Sequence, residues 1–427
     1  MQESFLHFLW RFQYFDTRDL RTVGGESLQV LGVGMPHADA GPDFRQARVR
    51  IGDVEWAGHV EIHRRSSEWE SHAHQHDGAY NNVILHVVWE DDRPVCRPDG
   101  SLMPTLALQS RARPGLLSRY QALLNNRAPI PCAGQFADVS SLEKRAMLDR
   151  VLLRRLEEKA QLAETLWYGN GRHWETTAYQ LLAHAFGFKI NADPFLRLAQ
   201  ALPLKVLHKH RNQTLALEAL LFGAAGLLPA EALGPYGESL RQEYTFLRYK
   251  YQLPEVPVAA HEWKFLRLRP ANFPTVRLAQ LATLLANEPS PFTLLAGSES
   301  VKELISRLQV MQSDYWQAHY VWKKPAKGPV PGLGKAAAES VIINAAIPLL
   351  VCYAQQQGNR AFLERAVAWL EELPAERNHL TRLWEQLGLS VRSAFDSQAC
   401  IELYNHYCAT RQCLRCSVGV SLLRAKE

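Results

Sequence analysis

Gly41-Pro42-Asp43-Phe44 opens a segment that runs through Ala47-Arg48-Val49-Arg50-Ile51, turns at Gly52-Asp53, and returns through Trp56 to Gly58-His59-Val60-Glu61-Ile62-His63. Ala47, Val49 and Ile51 alternate with polar residues, and Val54, Trp56, Gly58, Val60 and Ile62 alternate again after the Gly-Asp pair. Two alternating runs around such a pair predict a β-hairpin. A two-residue turn places Asp43 opposite Ile62, and a three-residue loop places it opposite Glu61. Either register brings Asp43 to the end of the second strand, beside Glu61 and His63, and a bulge near Pro42 would re-aim it. The period of two puts His59, Glu61 and His63 on one face, and Trp56, Val60 and Ile62 on the core face.

Carboxylates delivered by adjacent strands make an oxygen-rich site suited to Mg²⁺ or Mn²⁺. Such an ion polarises phosphoryl oxygens and activates water, so Asp43, Glu61 and His63 are the candidate catalytic residues. Downstream, His72, His74 and His76 stand at alternate positions, and Val83-Ile84-Leu85-His86-Val87-Val88-Trp89 reads as a buried strand with His86 inside it. Imidazoles spaced by two face a metal together from an extended segment. The expected metal ligands are therefore Asp43, Glu61, His63, His72 and His74. A cupin-like barrel that gathers His59, His63, His72, His74 and His86 is the rival architecture, and would make the protein a non-nuclease metalloprotein. The plainest alternative is a polar loop with incidental histidines above a core His86.

The order Pro42-Asp43, then Glu61-x-His63 on the next strand, then a helix and a further strand resembles the PD-(D/E)xK superfamily of restriction-endonuclease-like nucleases. The resemblance implies a divalent-metal-dependent nuclease that hydrolyses phosphodiesters in DNA or RNA. Asp43 and Glu61 then bind metal, and His63 stands at the position of the family's lysine, as ligand or base. Glu26, ahead of Leu28-Val30-Leu31, matches the glutamate that some of these enzymes carry on a first helix. The same resemblance admits a non-catalytic interaction protein on a degenerate nuclease fold.

At 427 residues, 47% hydrophobic and 21% charged, the chain has the length and composition of a soluble protein with two or three ordinary cores. No apolar run approaches the roughly 20 residues of a membrane span. The start, Met1 to Phe12, has neither a basic region nor a small-residue cleavage site and reads as an amphipathic helix. A cytoplasmic protein without membrane partners is expected. The net charge of +5 is a weak pointer to polyanions.

The character of the sequence changes near residue 115, from strands and turns to almost continuous helix. Ser140-Ser141-Leu142-Glu143 supplies a capping box, and Leu148, Val151, Leu152, Leu156 and Leu162 an apolar stripe. The expected class is α+β: an N-terminal α/β domain over 1–125, its sheet built mainly from hairpins, and an all-helical domain over 136–427.

In the helical part, Lys264, Arg267 and Arg269 alternate with aromatics around Trp263, a pattern suited to a phosphate-binding groove. Pro331-Gly332-Leu333-Gly334 resembles a helix-hairpin-helix turn, although a glycine loop entering a buried helix explains it as well. Cys408, Cys413 and Cys416, with Cys400 and His406 nearby, have the crowding of a zinc or iron–sulfur site, and Cys400 stands apart by two helical turns. These motifs together, Trp69-x-x-His72-x-His74 and Arg267-x-Arg269-Pro270-x-Asn272-Phe273-Pro274 included, are similar to a family of conserved bacterial proteins of unknown function.

Overall fold

Phe5, Leu6, Phe8, Leu9 and Trp10 recur with the helical period, and α1 (Glu3–Phe12) buries all five. Each such side chain contributes roughly 1.5–3 kcal/mol by leaving water. The computed structural model describes residues 2–37, 40–97, 99–228, 234–254 and 257–424. After α1 come β1 (Leu28–Gly32), β2 (Met35–Pro36), β3 (Phe44–Ile51), β4 (Val54–Arg65), α2 (Glu68–Ser71), β5 (Val83–Glu90), β6 (Thr105–Ala107) and α3 (Leu116–Asn125). The sheet runs β1-β3-β4-β5-β6, with β2 also on β3. Pairings from β1 to β4 are antiparallel, and β4-β5 and β5-β6 are parallel. The path has β1 and β6 as its two ends, so the strands form an open mixed sheet rather than the barrel of a cupin.

The hairpin forms in the two-residue register, Ala47 opposite Gly58 and Ile51 opposite Val54, with Gly52 at φ +58 in the turn. A bulge between Phe44 and Ala47 then shifts the pairing to Phe44 opposite Val60. Gln46 takes a φ of +58 inside it. One residue is absorbed there, which brings Asp43 level with Glu61. Val60, Ile62, Leu85 and Val87 pack in one core with α1, while Glu61, His63 and His86 occupy the alternate positions of β4 and β5. Trp56 departs from expectation. It is 39% exposed, because the turn end of the hairpin extends beyond the buried part of β4.

Glycine at 58 is required by close approach. A Cβ there would lie 2.5 Å from Asn82 O and 2.5 Å from Ile84 Cγ2. His59 N donates to Asn82 O at 2.8 Å across the same gap. β4 and β5 thus come together at the level where Glu61 and His63 begin.

The chain divides into two compact units, 1–147 together with 404–427, and 148–403. These limits differ from the expected 1–125 and 136–427, because the cysteine segment groups with the sheet unit. The second unit is helical throughout most of its length, from the greater part of α4 (Ser141–Gly169) to the helix Ala394–Leu403. Its helix over Lys335–Gln357 is long and apolar enough to cross a membrane, and 67% of its most apolar window is buried as core. Gly332 precedes this helix in close contact with Val310 O, the glycine loop of a buried helix.

Candidate metal centre

Ser66 and Ser67, just past β4, are fastened by Asp92: Ser66 Oγ donates to Oδ1 at 2.9 Å, Ser67 N to Oδ1 at 2.9 Å and Ser67 Oγ to Oδ2 at 2.7 Å. This anchor fixes the start of α2, whose Trp69 is fully buried. The chain then turns sharply. His72 ends α2, Ala73 takes a φ of +59, and His74 begins a single helical turn, His74–His76. Sequence alternation had suggested an extended ligand strand. A compact turn instead carries His72 and His74 to the same point and leaves His76 exposed.

That point is Nε2 of His63. It lies 3.2 Å from His72 Nδ1, 3.3 Å from His74 Nε2 and 3.6 Å from Glu61 Oε1, and His74 Nε2 is 3.3 Å from the same oxygen. His74 is held by Tyr80, whose ring stacks on it at 3.8 Å, and by the edge of Trp69 at 5.4 Å. Behind His63, its Nδ1 meets His86 Nε2 at 2.8 Å. Glu61, His63, His74 and His86 are 9% exposed or less, whereas His72 faces solvent.

Burial dominates the electrostatics. It raises the Glu61 carboxyl, an effect that Asp43 reinforces and His74 opposes. Burial, with the surrounding imidazoles, pushes His63 far below its usual value, and burial pushes His86 down to about 3. Both rings are therefore neutral, with lone pairs available at neutral pH.

Beside this cluster lies a second one. The Asp43 carboxylate accepts from Ile62 N at 3.0 Å, and Asp43 N donates to Glu61 Oε2 at 3.2 Å. Glu61 thus directs one oxygen at the histidines and the other at Asp43. His7 of α1 reaches Asp43 Oδ2 at 3.4 Å, and Glu3, one turn earlier, completes a group whose donor atoms all lie within 4.8 Å. Desolvation works against the charged His7 ring, but Asp43 prevails and raises it above the usual histidine value. Desolvation also raises Glu3. Glu26 sits in the turn before β1, so the acidic residue on the first helix is Glu3 instead.

Of the expected residues, Asp43, Glu61, His63, His72 and His74 come together, with Asp43 nearest to His7 and Glu3. His59 does not join them: its Nδ1 faces Gln46 N of the bulge at 3.4 Å. Glu3, His7 and His86 complete the site. His86 was visible in the sequence as a histidine inside a strand, but the α1 residues carried no signal, because helix and strand meet only in the fold.

Over residues 3–379 the chain matches the model of a family described as a protein of unknown function, DUF2851. The chain belongs to this family. The matched span contains the whole histidine–carboxylate site of this DUF2851 member and stops short of Cys408, Cys413 and Cys416. No curated protein and no solved structure matches it.

The three cysteines are buried, 6–7% exposed, and are thiols. Cys132, just before the short helix Ala133–Asp138, joins them. Burial, then Cys416 and Cys413, push its thiol up to about 12. Cys408 rises for the same reasons, burial first and then Cys416, Cys132 and Cys413. Cys413 is pushed up to about 11 by burial and Cys416. Cys400 belongs to the other unit, where its carbonyl accepts Trp384 Nε1.

Lys264, Arg267 and Arg269 lie in the second unit, all exposed, in an irregular loop rather than an alternating strand. Arg267 has a φ of +64, and Lys264 is anchored through its backbone to Asn191.

Proposed function

We propose that this protein is a metal-dependent phosphodiester hydrolase acting on DNA or RNA, with a transition-metal ion held by Glu61, His63, His72 and His74. One observation carries the metal. His63 Nε2 has two imidazole nitrogens and a carboxylate oxygen at 3.2–3.6 Å, and a single ring proton can serve only one of them. Ligands about 2.0–2.1 Å from one tetrahedral ion stand about 3.3–3.4 Å apart, which matches His63 against His72 and His74, and His74 against Glu61, with His63, His72 and His74 forming the compact group. Three imidazoles and one carboxylate favour Zn²⁺ or Mn²⁺ over the Mg²⁺ that carboxylates alone suit. When bound, such an ion supplies Lewis acidity toward a phosphoryl oxygen.

The protein's own groups supply the rest. His63 keeps Nε2 free for a metal only as its Nδ1–H tautomer, and His86 Nε2 is in place to accept that proton. His7, held close to a proton by Asp43, is poised for general acid–base work. His7 also lines a cavity of about 580 Å³ whose wall includes Arg11, Arg411 and Arg415, three cations suited to a phosphate backbone.

The chain order also supports a nucleic-acid substrate: a helix, Asp43 at the entry to one strand, Glu61-x-His63 on the next, a short helix, and a strand parallel to the last. That is the order implied by the nuclease resemblance. Lys264, Arg267 and Arg269 are proposed as further backbone contacts on the second unit.

Metal content and hydrolysis of single- and double-stranded DNA and of RNA, with Mn²⁺ or Zn²⁺, test the reading. Wild type is expected to cleave, while Glu61→Gln, His74→Ala and Asp43→Ala lose activity. Cleavage that survives all three substitutions would refute it.

A further inference from the structure

We propose that Cys132, Cys408, Cys413 and Cys416 form a tetrathiolate metal centre, filled by zinc or by an iron–sulfur cluster, that fixes the loop carrying Arg411 and Arg415. The inference does not depend on what the histidine site binds. Cys408, Cys413 and Cys416 are buried, Cys132 is half-buried, and Cys132 and Cys413 meet the same core. The four come from two stretches of chain far apart in sequence, and the fold invests in joining them. Asn126 Nδ2 donates to Pro131 O at 2.7 Å, and Ala128 N to Asn126 Oδ1 at 3.0 Å, setting the turn that presents Cys132. Arg411 Nη1 then donates to Ala128 O at 3.1 Å, tying the cysteine loop to that turn.

On the other side, the helix Ser417–Arg424 presses Gly419 so closely on Cys413 that a Cβ would sit 2.3 Å from Cys413 O. The same helix packs against Ala133–Asp138, the short helix that follows Cys132. Cys132 and Cys413 both pack against the core of the sheet unit.

Four thiols drawn from two distant stretches of chain to one side of a core are unusual unless a soft metal uses them. Cys413-x2-Cys416 is a common pair spacing in such centres, and thiolate is the donor that zinc and iron–sulfur clusters select. On zinc binding, four sulfur–metal bonds form and the thiol protons pass to solvent. Thr410, Arg411, Gln412, Leu414 and Arg415, spanned by the ligands, form part of the wall of the cavity that His7 lines. A centre here holds those cations in register with α1.

The test uses the full chain with His63→Ala and His74→Ala, so that metal at the histidine site does not contribute. Purified anaerobically, it is expected to retain one zinc per chain, or iron with acid-labile sulfide and visible absorbance, which distinguishes the two fillings. Adding Cys132→Ser should abolish that metal, while Cys352→Ser should not. In the parent chain, chelation should open Arg411 and Arg415 to trypsin. Absence of zinc and iron from the histidine variant overturns the proposal, as does full metal content in Cys132→Ser. The first of these measurements needs no cysteine substitution to fold.

Discussion

His86→Leu separates a ligand-orienting role from a packing role. His86 is fully buried, its Nε2 lies 2.8 Å from His63 Nδ1, and its own Nδ1 has no partner. Leucine removes that orphan nitrogen but leaves His63 Nδ1 without one. Each buried unpaired group costs roughly 1–3 kcal/mol, so the stability of the metal-free protein should change by no more than about 1 kcal/mol. Metal binding is different, because the ligand tautomer of His63 needs an acceptor for its Nδ1–H. Losing such an outer partner lowers affinity by roughly 10–100-fold, or about 1.4–2.7 kcal/mol. Calorimetric titration of stripped protein with Mn²⁺, which thiols bind weakly, reads the affinity, and urea melts read the stability. His86→Gln, whose side-chain oxygen accepts, should recover part of the loss. Unchanged Mn²⁺ affinity in His86→Leu would refute the orienting role, and equal losses of affinity and stability would reduce His86 to a packing residue.

The metal-free protein should also lose stability in acid. Burial lowers His63 and His86, so below the unfolded histidine value of 6.5 the unfolded chain binds more protons, and stability falls with pH toward about 3. Each histidine contributes a slope of up to about 1.4 kcal/mol per pH unit. Glu61 and Glu3, both pushed up, oppose the two histidines where they titrate, and His7, also raised, does so near neutrality. Urea melts of a Glu3→Gln, Glu61→Gln variant that stay flat between pH 4 and 6 would contradict the buried neutral pair. Gly58→Ala should cost about 1–3 kcal/mol by forcing β4 from β5, measurable by the same melts, and a neutral result would mean that the strands part freely. Arg11→Ala should weaken oligonucleotide binding and reduce its salt slope by about 0.7–0.9, the share of one phosphate contact; an unaltered slope would remove Arg11 from the binding surface.

The meeting of Asp43 with Glu61 was legible because it is local: alternation and a two-residue turn suffice to align the strands, with one bulge as the adjustment. The histidine pair was legible in composition but not in geometry. His72 and His74 converge through a left-handed Ala73, which side-chain alternation does not encode. His63 meets His86 because β4 and β5 pair in parallel, a choice made by the crossover between them rather than by either strand. His7 and Glu3 were hidden for the same reason, since where a helix lies on a sheet depends on the whole core. Trp56 was misassigned because alternation reports which face a residue takes but not how far the cover over that face extends. Cys132, isolated in sequence, gave no sign of company.

The sheet unit is assembled from two pieces of chain, 1–147 and 404–427, with the second unit lying between them in sequence. During synthesis the ribosome therefore releases every residue of the helical unit before the first unit receives its last segment. Until then, the place that Cys413, Val420 and Leu423 fill in the sheet core stands open. A chain truncated within the helical unit therefore keeps its histidines and carboxylates but cannot complete the core beneath them. Polypeptides broken off early should be recognised by proteases as unfinished, whatever the soundness of the part already made.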